Sequence, residues 1–454
     1  MLFNSFAFLF GFLPWVLIGF WLLNRHEDAR LWFLCAASLV FYGYWDWRFV
    51  PLLVALIVFN WLAAKMFFKY RQRFILKAGI VANLLVLGIF KYLGFFSEML
   101  GEVTGWQVEI ARLALPLGIS FFTFHNIIYL ADLHRGRAPR YSFRDYALYI
   151  ALFPQILAGP IVRHNEIIPQ LREPPLRSGF SERLARGVAF FLFGLGKKVL
   201  FADELAKLAD PVFAQAAHAA VNVGQAWTAA LAFPLQIYFD FSGYSDMAIG
   251  LALMLGFVLP YNFDAPYRAA SLAQFWRRWH MTLIRFLRDY VYIPLGGNRC
   301  GWMLQCINIL ITFLLSGLWH GAGWTCIVWG GLHGLGLAAG VAWRRYLKPM
   351  PQPLSWVLLI AFLLATWILF RAPSLAAAGT ILTAMAGQGI LAPVSGVLTI
   401  AVAAAFALIG PSSQALIERL RPAAWLAPLA AVATIAVVFK LNGSPAYEFI
   451  YFHF

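Results

Sequence analysis

Charge is what this chain is short of. Only 12% of its 454 residues are Asp, Glu, Lys or Arg, against 62% hydrophobic, a balance far from that of a soluble globular protein. Acid is scarcer still: 20 Asp and Glu stand against 35 Lys and Arg, a net charge of +15. That surplus does not read as a nucleic-acid surface. The basic residues are scattered through short loops between apolar runs, which is the positive-inside pattern of a membrane protein. Cysteine is rare as well: Cys35, Cys300, Cys306 and Cys326 have no C-x-x-C spacing and lie in or beside apolar runs. Neither a disulfide framework nor a metal site is expected from them. No repeat, heptad, glycine-rich phosphate loop or soluble domain is present. The first apolar run lacks a basic leader and a small-residue cleavage site, so it reads as a retained helix.

What is abundant is apolar sequence in runs near the 17 to 25 residues that cross a bilayer. Such runs fall near 6–23, 31–44, 50–68, 75–96, 111–131, 187–202, 225–241, 246–259, 304–319, 324–343, 354–370, 394–410 and 424–440. Several are short, so about eleven to thirteen spans are expected. The fold class is an all-α polytopic membrane protein, one integral-membrane domain over 1–454 with its chemistry between about 111 and 343. Loop 69–77 is basic and loop 97–110 carries Glu98, Glu102 and Glu109 without a basic residue, which puts the first in the cytoplasm and the second, with the N-terminus, outside. Segment 145–162 is apolar but has basic stretches on both sides, and Pro154, Gly159 and Pro160 interrupt it. A re-entrant hairpin facing a cytoplasmic funnel fits better than a crossing, since irregular backbone at that depth needs protein or water around it.

Chemistry concentrates in Gly317-Leu-Trp-His-Gly-Ala-Gly-Trp-Thr-Cys-Ile-Val-Trp-Gly-Gly-Leu-His-Gly334. It places His320 and His333 in sequence apolar enough for a bilayer, where a titratable group is a functional-site hypothesis by default. With an ordinary pKa near 6.5, histidine is also a ready proton acceptor. The alternative is a histidine that bonds a neighbouring helix; the functional reading is preferred for His320, and for His333 the packing reading, because Gly330, Gly331, Gly334 and Gly336 surround it. A second stretch, 275–291, reads on a helical wheel as amphipathic: Arg277, Arg278, Arg285 and Arg288 share one arc, and His280 sits at its border. It is either a surface anchor with snorkelling arginines or a phosphate-binding face. Gln236 to Met247, with Asp240, Ser242, Ser245 and Asp246, reads as a polar turn between apolar helices, its carboxylates paired or hydrogen-bonded.

The chain resembles the membrane-bound O-acyltransferases, in particular the bacterial branch that O-acetylates exported polysaccharides. The resemblance is carried by Phe3-Asn-Ser-Phe-Ala-Phe-Leu-Phe, Pro116-Leu-Gly-Ile-Ser-Phe-Phe-Thr-Phe, Ala158-Gly-Pro-Ile-Val-Arg163 and Tyr238-Phe-Asp-Phe-Ser-Gly-Tyr-Ser-Asp-Met-Ala-Ile-Gly250. It continues through Phe275-Trp-Arg-Arg-Trp-His280, Leu295-Gly-Gly-Asn-Arg299 and Gly317-Leu-Trp-His-Gly321. The resemblance implies that His320 is the catalytic histidine, that His280 is the second important one, and that both lie in a central tunnel. It implies acetyl-CoA as a donor substrate and no permanently bound cofactor, with Arg277, Arg278, Arg285, Arg288 and Trp319 as donor-binding candidates. Its further implications are a bacterial inner membrane, a polymer of alginate or cellulose type, a synthase and export complex, membrane lipid, and a periplasmic SGNH-type acetyltransferase as relay. D-alanyl transfer, as in the teichoic-acid cousins, is the nearest competitor. A proton-coupled transporter is the rival of another class, although it should show matching broken helices in two halves, and none are found; a structural subunit of a secretion complex is the third reading.

Overall fold

The computed structural model describes residues 1–105 and 113–419, with 428, 431, 432, 434–436, 439, 440 and 448–450 beyond them. Every regular element among the described residues is helical. The chain divides into two compact units. One comprises Met1–Phe193, Tyr244–Pro260 and Leu420–Glu448, the other Gly194–Gly243, Tyr261–Arg419 and Phe449–Phe454. Most of the expected span 424–440 lies outside the described residues.

The first unit holds α1 (Leu13–Leu22), α2 (Glu27–Gly43), α3 (Val50–Tyr70), α4 (Arg73–Thr104), α5 (Ile119–His134), α6 (Phe143–Ala151), α7 (His164–Leu171) and most of α8 (Phe180–Gly196). Where apolar helices pack on one another, the few polar groups decide register. Asn60 of α3 and Asn83 of α4 exchange amide hydrogen bonds of 3.1 and 2.7 Å, and each also donates to the carbonyl four residues before it. Segment 145–162 is the short helix α6 followed by buried irregular backbone. At nine residues α6 spans about 13 Å, less than half of a bilayer core, as the interrupted sequence required. Its loop is held by side chains: the Phe153 amide donates to Ser38 Oγ at 3.2 Å and the Val162 amide to His125 Nε2 at 3.2 Å. Gly118, at φ +75°, lies so close to the Ile156 carbonyl that a Cβ there would overlap it.

The second unit holds α9 (Asp203–Ala216), most of α10 (Val223–Met254), α11 (Leu272–Trp276), α12 (Met281–Leu287), α13 (Trp302–His320), α14 (Trp324–Tyr346), α15 (Gln352–Arg371), α16 (Leu375–Met385), α17 (Val397–Leu408) and α18 (Ser413–Glu418). The polar turn expected over 236–247 is not a turn. It lies inside α10, a single helix of 32 residues, because its carboxylate is neutralised where it stands: Lys198 Nζ is 2.7 Å from Asp240 and 2.9 Å from Asp203, and Asp240 also accepts from the Ile450 amide at 2.8 Å. Pairing makes buried charge tolerable, so the helix continues through it.

The α13–α14 hairpin is built on glycine. A Cβ on Gly317 would stand 2.3 Å from the Cys326 carbonyl oxygen, and one on Gly330 would stand 2.3 Å from the Phe313 oxygen and 3.0 Å from Gly317 Cα. The two backbones therefore touch, the close approach that small residues permit between membrane helices. Gly334 and Gly336 also admit neighbours at 3.0 and 2.8 Å, so the packing expected around His333 is present.

Among the described residues, five helices are long and apolar enough to cross a membrane: Trp47–Tyr70, Arg73–Thr104, Trp302–His320, Trp324–Tyr346 and Gln352–Arg371. Other apolar runs of the sequence form shorter helices, such as Ala7–Leu22 and Val397–Leu408.

Asn83→Leu should lower the melting temperature of detergent-purified protein by leaving Asn60 Oδ1 without its donor, a loss of about 1–2 kcal/mol. The double variant Asn60→Leu/Asn83→Leu should recover most of it, and equal losses for single and double would mean that the pair does not couple α3 to α4. Gly330→Ala should cost about 1–3 kcal/mol by overpacking, measured against Gly94→Ala, where a Cβ meets nothing within 4 Å.

Candidate active site

The glycine crossing sets the neighbourhood of His320, the last residue of α13. Its imidazole is 3% exposed and is enclosed by Trp319, Trp329 and Phe370, with ring centroids at 4.7, 5.1 and 5.4 Å, each edge to face. The desolvation expected from hydrocarbon is thus supplied by protein. Phe370 comes from α15, beyond the 111–343 stretch expected to hold the chemistry, and has no sequence signal beyond its hydrophobicity. His320 Nδ1 lies 2.7 Å from the Ser316 carbonyl one turn back. A carbonyl only accepts, so Nδ1 carries the proton and Nε2 presents the lone pair.

His280 reaches its place differently. The amphipathic helix expected over 275–291 does not form: α11 ends at Trp276, and α12 begins at Met281 after a break in which His280 adopts φ +44°, ψ 52°. Left-handed backbone at a residue with a Cβ costs on the order of 1–3 kcal/mol. Here it is offset by tertiary hydrogen bonds, Met281 N–H to the Asn262 carbonyl and Asp264 N–H to the Arg278 carbonyl, each 3.0 Å. A single helix would have forfeited them, which is why the wheel fails. His280 is fully buried, with its Nδ1 3.3 Å from Asn262 Oδ1. The same oxygen accepts from the Thr282 amide at 3.3 Å and the Thr282 hydroxyl at 2.6 Å, which fixes it as the oxygen and His280 Nδ1 as the donor. His280 Nε2 is therefore also an acceptor. Burial, with the neighbouring His320 adding to it, pushes this imidazole well below its ordinary pKa, so it is neutral at pH 7.

Trp319 stands beside both imidazoles, 4.7 Å from His320 and 6.3 Å from His280. His333 is the opposite tautomer. Trp276 Nε1–H donates to its Nδ1 at 3.1 Å, so Nδ1 is the acceptor and Nε2 carries the proton. That separates His333 from His280 and His320, in which Nδ1 carries the proton. Asn262 is the residue that sequence reasoning missed; its one signal is an amide between Tyr261 and Phe263.

The broken helix also divides the four arginines. Arg277 and Arg288 line a cavity of about 220 Å³ together with Trp276 and Arg344, whereas Arg278 and Arg285 do not line it. The latter two are half-buried on either side of His280 in the chain.

Residues 104–379, which contain all three histidines, match the model of the MBOAT, membrane-bound O-acyltransferase family. The chain is 39% identical over 424 residues to the peptidoglycan O-acetyltransferase of Helicobacter pylori, covering 85% of this chain and 80% of that protein. It is 42% identical over 401 residues to the "Probable alginate O-acetylase AlgI" of Azotobacter vinelandii, covering 86% and 79%. Likeness to the teichoic acid D-alanyltransferase of Streptococcus thermophilus is 26% over 261 residues, 52% of this chain and 62% of that one. With the family model matched over residues 104–379 and relatives of this identity along most of its length, the chain belongs to the membrane-bound O-acyltransferase family and is an acyltransferase.

Proposed function

We propose that this chain transfers acetyl from cytoplasmic acetyl-CoA toward a hydroxyl of an exported cell-envelope polysaccharide, with His320 as general base. The observation that carries the reading is the His320 tautomer: Nδ1–H held by the Ser316 carbonyl at 2.7 Å, which leaves Nε2 basic inside an aromatic enclosure. In the proposed step Nε2 takes the proton of the acceptor hydroxyl as its oxygen attacks the thioester carbonyl. The tetrahedral oxyanion then collapses and expels the CoA thiolate, which recovers the proton from the imidazolium and leaves as the free thiol. Trp329 is 1% exposed and its indole N–H makes no hydrogen bond among the described residues. A buried, uncommitted donor beside the base suits the oxyanion.

In this reading Asn262 positions His280, whose acceptor Nε2 orients a substrate hydroxyl. Arg278 and Arg285, flanking His280, attract the phosphates of the donor, and Trp319 packs against its acetyl-bearing end. The polymer is a polysaccharide of alginate, cellulose or peptidoglycan type, reached through a periplasmic SGNH-type acetyltransferase beside the synthase and export complex in the bacterial inner membrane. Acetyl is preferred over D-alanyl because the two O-acetylating relatives share 39% and 42% identity over most of the chain, against 26% over half of it.

His320→Ala should leave normal amounts of protein in the membrane fraction and reduce acetyl content of the secreted polymer by about 10²–10⁴ in rate, the worth of a positioned base. Normal acetylation would overturn the assignment. Trp329→Phe keeps the ring and removes the donor, so kcat should fall by about 10²–10³ with KM little changed. Asn262→Ala should cost less than His320→Ala and more than His333→Ala. Charge reversal at Arg278 and Arg285 should weaken acetyl-CoA binding, more at low salt than at high because screening shortens the reach of exposed charge; a donor affinity indifferent to both would make them membrane anchors.

A further inference from the structure

The cavity beside Trp276 is bounded by α11 and α12 on one side and by the α13–α14 hairpin on the other, where its lining runs from Gln305 to Phe313 and from Leu337 to Arg344. The eight steps along α13 amount to about 12 Å. Its lining reaches Arg344, at the end of the hairpin where α14 finishes in Arg344, Arg345 and Tyr346. Trp343 and Tyr346 are 41% and 62% exposed there, and Trp302 packs on Tyr346 at 5.6 Å. Aromatic rings together with basic residues mark the headgroup level of a membrane helix on its cytoplasmic side.

The polar groups inside this cavity are already engaged. Thr312 Oγ1 donates to the Asn308 carbonyl at 2.6 Å, Trp276 Nε1 donates to His333, and Gln305 pairs with Tyr292. An arm carrying amides, such as that of the acetyl donor, would leave its own polar groups unsatisfied here. At the rim Arg288 is paired with Asp289 at 2.8 Å, but the exposed guanidiniums of Arg277 and Arg344 make no hydrogen bond or ion pair among the described residues. No carboxylate lines the cavity. An interior that accepts hydrocarbon, below a rim that accepts a phosphate, describes one class of ligand.

We propose that this cavity is a binding site for an anionic phospholipid, its phosphate held by Arg277 and Arg344 and one acyl chain lying along Phe313 and Leu337 against Trp276. Basic pockets between membrane helices on the cytoplasmic side bind anionic headgroups in this way. The chain end meets the indole that donates to His333, and that indole packs on Trp329 at 5.8 Å, which packs on His320 at 5.1 Å. A bound lipid therefore buttresses the wall behind the catalytic histidine and makes turnover depend on the anionic lipid content of the membrane. The site is distinct from the donor arginines Arg278 and Arg285 and does not depend on the identity of the polymer.

The test uses full-length protein, with native mass spectrometry reading lipid adducts from an equal mixture of phosphatidylglycerol and phosphatidylcholine. Wild type should keep one phosphatidylglycerol in preference. Arg277→Ala/Arg344→Ala should lose that preference by roughly thirtyfold, the worth of two basic residues near an anionic headgroup, while melting as wild type does. Val341→Trp, which fills the slot without touching charge, should lose the adduct of either lipid. In phosphatidylcholine vesicles doped with phosphatidylglycerol, turnover should rise with dose for wild type and stay flat for both variants. Retention of phosphatidylglycerol by the arginine variant overturns the proposal. Displacement by excess glycerol 3-phosphate reduces the site to a phosphate site and overturns it too, and displacement by acetyl-CoA, with a raised donor KM in the variants, would return the cavity to the donor.

Discussion

Contact between two helix backbones at Gly317 and Gly330 is the constraint on which the rest of the catalytic unit depends. Without a Cβ on either residue, α13 and α14 approach until a carbonyl of one lies where a side chain of the other would stand. That approach brings Trp329 under His320 and carries His333 to Trp276. Larger residues at the crossing would separate the helices and open the enclosure that dries His320. In a site closed off from water each dipole acts more strongly on a charge beside it.

Inside that framework, hydrogen-bond supply sorts the histidines. In His280, His320 and His333 the group facing Nδ1 is defined, and its chemistry decides which nitrogen carries the proton. Carbonyl and amide oxygens beside Nδ1 make His320 and His280 acceptors at Nε2, whereas an indole N–H beside Nδ1 makes His333 a donor. His125 of the first unit accepts the Val162 amide at Nε2 and so holds buried loop backbone in place. Four residues of one type thus have different parts through a single local rule. The same logic makes buried charge tolerable in α10, where Asp240 faces Lys198.

Composition, periodicity and motif were enough to establish an all-helical membrane protein, an interrupted segment over 145–162, close packing around His333, and the family. These are properties of local sequence. Apolar runs are legible because hydrocarbon rejects charge, and Gly317-Leu-Trp-His-Gly321 is legible because imidazole in apolar sequence demands a reason.

What only the tertiary structure decided depends on groups distant in the chain. The break at Arg277 to His280 is held by Asn262 and Asp264, so a helical wheel drawn over 275–291 could not contain it, and with the break went the single arc of arginines. The continuity of α10 through Asp240 rests on Lys198, some forty positions earlier, and the enclosure of His320 is completed by Phe370, fifty positions later. The tautomers belong to the same class, since sequence places an imidazole but not the atom facing its Nδ1. Hydrogen bonds and ring contacts are short-ranged in space and indifferent to chain separation. The chain by itself therefore determined which apolar stretches hold imidazoles, and folding alone determined which atom of each faces a neighbour.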